Sequence, residues 1–116
     1  MINLKEHNFR GFACDKFEAR LLLDFFNKKS IVVLGIDEVS LDEPDYVSFV
    51  GNGLDNQSSC WVSNEGFLDG VRTFIKGASK DNYLLYTTVP DFFDQKELLD
   101  DFGMIMLRHN EQSGQL

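Results

Sequence analysis

The stretch IVVLGIDEVSLDEPDYVSFV, residues 31–50, decides the fold because it contains two β-prone runs separated by acidic residues. Ser30 to Ile36 is a short β-branched apolar run, which predicts a strand buried on both faces. Residues 37–45 are acidic and end near a proline, which predicts a loop. Tyr46 to Val50 alternates its side chains and predicts a second strand. The two strands are close enough along the chain to pair as an antiparallel hairpin.

Helices are predicted before and after this hairpin. Asp15 is a good N-cap and forms a capping box with Glu18. The apolar face of the helix that follows comprises Ala19, Leu21, Leu22, Phe25 and Phe26. Ser63 or Asn64 caps the second helix, which Gly77 ends. The apolar stripe of this second helix comprises Phe67, Leu68, Val71, Phe74 and Ile75.

The C-terminal part of the chain predicts a strand, a helix and a further strand. Tyr83 to Val89 is a strand that stops at Pro90, which cannot donate to a ladder. Asp94 caps a helix that ends at Gly103, and Met104 to Leu107 follows as a short apolar strand. These two strands flank a helix and therefore suit a right-handed parallel unit.

These elements predict an α+β fold: a single mixed β-sheet of four to five strands with three helices, in the order α-β-β-(β)-α-β-α-β. Gly51 to Gly53 supplies a turn after the hairpin, and Cys60 to Val62 supplies the optional strand. A length of 116 residues suits one domain, 1–116, with a frayed polar tail at 111–116. Hydrophobic residues make up 43% of the chain, which excludes disorder for most of it.

The charge of the chain disfavours several classes of partner. Its net charge is -8, and binding to DNA, RNA or anionic lipid requires cations that neutralise phosphates. No apolar run approaches the ~20 residues that cross a bilayer, and the first ten residues lack a signal-peptide stretch, so a cytoplasmic protein is predicted. Cys14 and Cys60 are expected as free thiols. Neither a metal nor a cofactor is expected, because no ligand spacing supports one.

The middle of the chain is acidic without any compensating base. Residues 31–70 contain eight Asp or Glu residues and no Lys or Arg. One interpretation is a solvated patch that keeps the protein soluble. The other is a docking surface for a cationic partner, because clustered charge raises association rates and selects partners.

The second interpretation defines a set of candidate partner-binding residues. Aromatic side chains anchor such interfaces, and Tyr46 and Trp61 lie in the acidic stretch, whereas Phe49 is better explained as core. Asp100 and Asp101 are added because acids at a helix C-terminus are locally unfavourable and suit binding better than folding. The full candidate set is Asp37, Glu38, Asp42, Glu43, Asp45, Tyr46, Asp55, Trp61, Asp100 and Asp101.

Three functions are compatible with these features. The leading hypothesis is a monomeric protein that inhibits a basic enzyme, specifically an immunity protein or antitoxin that blocks the active site of a nuclease toxin. The first alternative is a dimeric secretion chaperone or adaptor with an exposed apolar patch. The second alternative is a small enzyme or ligand-binding domain that uses His7, Cys60 and His109, although no spacing suggests a nucleophile with its base.

Overall fold

The structure, a computed structural model, describes residues 1–43, 46–56 and 65–112. Within these residues the strands are β1 (Ile2–Asn3), β2 (Phe12–Ala13), β3 (Val32–Glu43), β4 (Tyr46–Asp55) and β5 (Tyr83–Val89). The α-helices are α1 (Lys16–Lys28), α2 (Glu65–Gly77) and α3 (Lys96–Gln112), and short 3-10 helices occur at Leu4–His7 and Phe92–Asp94.

The α+β class with three helices is confirmed, and the sheet arrangement differs from the predicted one. β3 is the central strand of an antiparallel three-stranded sheet with the order β4-β3-β5. β1 and β2 form a separate antiparallel pair, which the sequence pattern does not predict because two residues are too few to show alternation. The single mixed sheet is therefore replaced by two antiparallel sheets in the described residues. The predicted strand at Cys60 to Val62 lies outside them.

The central hairpin is confirmed as antiparallel and is longer than predicted. β3 continues through residues 37–43, which were predicted to be a loop, and β4 continues through the predicted turn at 51–53. Val39 is fully buried on β3 and supplies the alternating apolar contact that keeps this acidic segment in the sheet. β4 contains a bulge at its glycines: between the pairs Asp37–Gly53 and Val39–Phe49 it has three residues where β3 has one, and Gly51 has a φ of 90°.

The last helix corrects the predicted helix and strand of the C-terminal region. α3 passes through Gly103, the predicted stop, and includes Met104 to Leu107, the predicted strand. The glycine costs about 1 kcal/mol in a helix, and a Cβ added at Gly103 would meet no group within 4 Å outside its own stretch of helix. Packing outweighs this cost, because the core-facing residues recur at helical spacing: Leu98, Leu99, Phe102, Ile105 and Met106. The predicted parallel unit with β5 is therefore wrong.

The two faces of the three-stranded sheet are covered very differently. The helical face, as we call the face packed against α1, α2 and α3, contains the larger core, with Phe26, Ile36 and Tyr86 among its buried residues. The Asp15–Glu18 capping box is confirmed at the start of α1. The open face is on the other side, and among the described residues it is covered by the N-terminal segment, with Leu4, Ala13, Val39 and Leu85 fully or nearly buried there.

Candidate functional site

The β3–β4 hairpin extends beyond β5 and forms what we call the hairpin arm, residues 40–43 and 46–50. β5 pairs with β3 from Val32 to Val39, so within the described residues β4 is the one strand that pairs with β3 along the arm. Tyr46 and Phe49 on this arm are exposed by 59% and 54% of their surface. The arm therefore presents large aromatic surface to the surroundings, which a folded chain avoids unless the aromatic side chains have a partner.

Phe49 is consequently not the core residue that the sequence pattern predicts. Its ring lies against Phe9 of the N-terminal segment, with centroids 6.1 Å apart, and this one contact leaves over half of the side chain exposed. The reason is the register, because Phe49 is paired with Val39 on the open face rather than on the helical face. It joins Tyr46 as a candidate anchor.

Two carboxylates lie next to each other on the open face, and we call Asp37 and Asp55 the carboxylate pair. Asp37 is opposite Gly53 and Asp55 is opposite Gly35, so the two side chains are diagonal neighbours across β3 and β4. A Cβ added at Gly53 would lie 2.4 Å from Asp37 Oδ1, and one at Gly35 would lie 3.1 Å from Asp55 Oδ1. A side chain at either glycine would therefore make the facing carboxylate shift.

The pair changes the acidity of Asp37. Partial burial is the main cause that raises the pKa of this carboxyl group, and the charge of Asp55 raises it further. In the free protein, ionisation of the Asp37 carboxyl group is therefore less favourable than it is in water. A cation placed between the two side chains would remove that cost, because opposite charge favours the ionised form.

Glu38 is the clearest correction among the predicted binding residues. Its side chain points to the helical face and is only 4% exposed. Oε2 accepts hydrogen bonds from Asn82 Nδ2 at 2.5 Å and from the Ser79 amide at 3.2 Å, and Oε1 accepts one from Asn52 Nδ2 at 3.2 Å. The bond from Asn82 is the main cause that lowers the pKa of Glu38. This carboxylate joins β3, β4 and the turn before β5, and it is not available to a partner.

The other predicted acids are not all brought to this face. Asp42 and Glu43 belong to the backbone of β3 in the arm, and Asp45 and Trp61 lie outside the described residues. Asp100 and Asp101 are in the first half of α3 rather than at a helix C-terminus, so the argument that singled them out is wrong. Asp101 forms an ion pair with Lys29 at 3.6 Å, on the helical side of the molecule.

The residues of the enzyme alternative are not assembled into a site by the described part of the chain. His7 is in the 3-10 helix of the N-terminal segment, whereas His109 is near the end of α3 and contacts Phe17 with the two rings tilted and their centroids 4.7 Å apart. Cys60 lies outside the described residues. Cys14 is a buried free thiol, and burial raises its pKa far above the ordinary value, which makes it unreactive. No group of three or more metal-ligating side chains occurs in residues 1–43, 46–56 and 65–112.

Two sequence signals could have located the carboxylate pair. Gly35 interrupts an apolar β-branched run and Gly53 follows a second strand by three residues. An isolated glycine inside a strand marks a close approach by another group, which here is a carboxylate on the neighbouring strand.

Comparison with protein-family models, with curated proteins and with solved structures gives no match. Among the helices of the described ranges, none is long and apolar enough to cross a membrane. The geometry of the open face and the arm is therefore the basis for a functional assignment.

Proposed function

We propose that this protein binds a basic partner protein through the carboxylate pair and the hairpin arm, and that the partner is a nuclease toxin. In this role it is a cytoplasmic immunity protein or antitoxin that covers the nuclease active site. A nuclease must be cationic where it holds phosphate, so an acidic surface with aromatic anchors is complementary to it.

The observation that carries the proposal is the combination of features on one hairpin. Asp37 and Asp55 provide negative charge, and exposed Tyr46 and Phe49 provide the large aromatic contacts that dominate many interfaces. No Lys or Arg occurs between residues 31 and 70 to neutralise this charge from within the hairpin. The raised pKa of Asp37 adds a driving force, since a cationic partner relieves the repulsion between the two carboxylates.

Association kinetics test the proposal with a charge-matched control. The probe is the purified product of the neighbouring open reading frame, assayed first for nuclease activity and its inhibition. The variant Asp37→Asn/Asp55→Asn removes two charges from the open face, and Asp81→Asn/Glu111→Gln removes two exposed charges elsewhere. We expect the first variant to associate about tenfold more slowly at low salt and the control to associate at the wild-type rate.

The salt dependence separates docking from a general charge effect. The difference between wild type and Asp37→Asn/Asp55→Asn should shrink at about 0.3 M salt, where screening acts over a few ångströms. Tyr46→Ala should increase the dissociation rate, because loss of an anchor contact acts mainly on dissociation. If both double variants slow association equally, or if neither does, the open face is not the docking surface.

A secretion chaperone remains the second candidate because of one feature. Tyr46, Phe49 and Val50 are exposed side chains on β4, which is an edge strand of the three-stranded sheet in the described residues. Such a surface suits self-association as well as partner binding. Sedimentation equilibrium distinguishes the two: a monomer at tens of micromolar supports the inhibitor, and a dimer that Phe49→Ser dissociates supports the chaperone.

A further inference from the structure

A groove between α1 and α2 concentrates positive charge in a chain whose net charge is -8. Its volume is about 440 Å³, and it is lined by Lys16, Arg20, Leu23, Asp24, Arg72 and Lys76. The four bases form two pairs at i,i+4 spacing, one on each helix, which face each other across the groove. Like charges at this spacing destabilise a helix slightly, so the free protein bears a cost that an anion would remove.

Two of the four bases are already held by the protein. Lys16 Nζ donates to the carbonyl oxygens of Lys76 and Ala78 at 2.9 and 2.8 Å, which fixes its ammonium group at the C-terminal end of α2. Arg72 lies between Asp24 and Asp69, at 3.4 Å from each carboxylate. These contacts place two donors rigidly on the walls without using all of their hydrogen-bonding capacity, since an ammonium has three donors and a guanidinium has five.

The other two bases are unpaired. In the part of the chain that the structure describes, the side chains of Arg20 and Lys76 make no hydrogen bond and no ion pair. Asp24 is the one acid among the described lining residues, and Arg72 already contacts it. The groove therefore has an excess of cations and two free donors on opposite helices.

We propose that this groove binds the phosphate groups of a small oligophosphate. Guanidinium groups match phosphate oxygens with paired hydrogen bonds, and the two lysines add compact charge at the other end of the groove. The volume lies in the range of small-molecule sites, which is about 300–1,000 Å³. The proposal is independent of the partner docking at the open face, because the groove lies between helices that cover the other face of the sheet.

The lining also defines what the groove does not recognise. Among the described residues that line it, Leu23 is the one apolar side chain and none is aromatic, so a nucleobase meets no ring there on which to stack. An extended nucleic acid is disfavoured because the rest of the surface is acidic and repels a long polyanion. The groove is therefore specific for adjacent phosphates rather than for a base or a polymer.

Calorimetric titration of the full chain with inorganic tripolyphosphate tests the proposal. We expect saturable binding at one site per chain, with amide chemical shifts that change in residues 16–24 and 72–78. Arg20→Gln/Lys76→Gln should weaken this binding at least about tenfold, because each lost bond is charge-assisted. Lys80→Gln/Lys96→Gln removes two exposed charges outside the groove and should leave the affinity within about twofold of wild type. The unfolding temperatures of both double variants provide the check that each is folded.

Two further ligands test which class of phosphate compound the groove binds. Magnesium-free ATP should bind within about threefold of tripolyphosphate, and a single-stranded RNA oligonucleotide should not displace it. Absence of saturable binding, an equal loss in both double variants, or displacement by the RNA overturns the proposal.

Discussion

The two faces of the central sheet carry cores of very different size on the same three strands. The helical face is closed by α1, α2 and α3, and a continuous set of aromatic contacts joins Phe25, Phe26, Phe92 and Phe102 there. Within the described ranges, the open face is covered by the short N-terminal segment and has four buried residues. Stability is thus concentrated on one face, which leaves the other free to carry charges and aromatic side chains that do not stabilise the fold.

Truncation of one buried leucine on each face tests this difference. Of the substitutions considered, we expect these two to change the free energy of unfolding most. Leu22 on α1 and Leu4 in the N-terminal segment are both fully buried. We expect Leu22→Ala to lower the free energy of unfolding by about 4 kcal/mol and Leu4→Ala by about 2.5 kcal/mol, because a short segment can collapse into the space that a leucine leaves. Denaturant unfolding of both variants measures the difference.

The reference for that experiment is an exposed position on the same helix. Arg20→Ala on α1 creates no cavity and should change the free energy of unfolding by no more than about 0.5 kcal/mol. Equal losses for Leu22→Ala and Leu4→Ala would show that the two faces contribute equally to stability.

Glu38 tests the same comparison with a charged residue, because it belongs to the acidic stretch but its side chain lies on the helical face. Glu38→Gln should lower the free energy of unfolding by about 2–3 kcal/mol, since it removes the charge from three partly buried hydrogen bonds. The pKa of this carboxyl group is lowered on folding, so its stabilisation is present above the ordinary value of about 4.3 and is lost as the pH falls through the lower folded value. The gap between wild type and variant should therefore narrow in acid, as urea unfolding at several pH values will show. A gap that is constant from neutral pH to pH 3 would contradict this role.

Substitution of Asp37, on the open face, should change the free energy of unfolding in the opposite direction to Glu38→Gln and by the smallest amount. Its pKa is raised on folding, so the fold gains from it below its ordinary value of about 3.9 and loses that gain as the pH rises through the folded value. Asp37→Asn should therefore stabilise the protein slightly at neutral pH, by about 0.5 kcal/mol or less, and have no effect in acid. Carboxyl NMR titration of the Asp55→Asn variant should show a lower pKa for Asp37, with part of the elevation retained because burial is the larger cause. An unchanged pKa would show that the pair does not interact.

The sequence predicts the local elements of this fold better than their partners. The capping box at Asp15, the strand Tyr83–Val89 and the apolar stripe of α2 follow from patterns that local sterics and burial impose, and the structure confirms them. The predicted helix end at Gly103 is wrong for a non-local reason. The packing of α3 against α1 outweighs the local preference of glycine to end a helix.

The candidate site was predictable in position and not in detail. Charge counting places the acidic surface on the hairpin, and five acids in nine residues suggest a loop. The sequence does not reveal which side of the strand each acid faces, because that depends on the register of β3 with both neighbours. For the same reason the sequence predicts Phe49 in the core, whereas its pairing with Val39 places it on the open face.

The bulge in β4 has a consequence for how specificity can evolve. The other edge of the sheet is occupied, because Cys14 exchanges backbone hydrogen bonds of 2.8 and 2.7 Å with Leu84 of β5. No strand of the described ranges pairs with the outer edge of β4, and its two extra residues interrupt the regular spacing that a foreign strand needs for pairing. A partner that meets this edge must recognise side chains rather than the repeating backbone. Recognition of that kind changes one substitution at a time, so related chains can diverge toward different partners while the sheet beneath them stays the same.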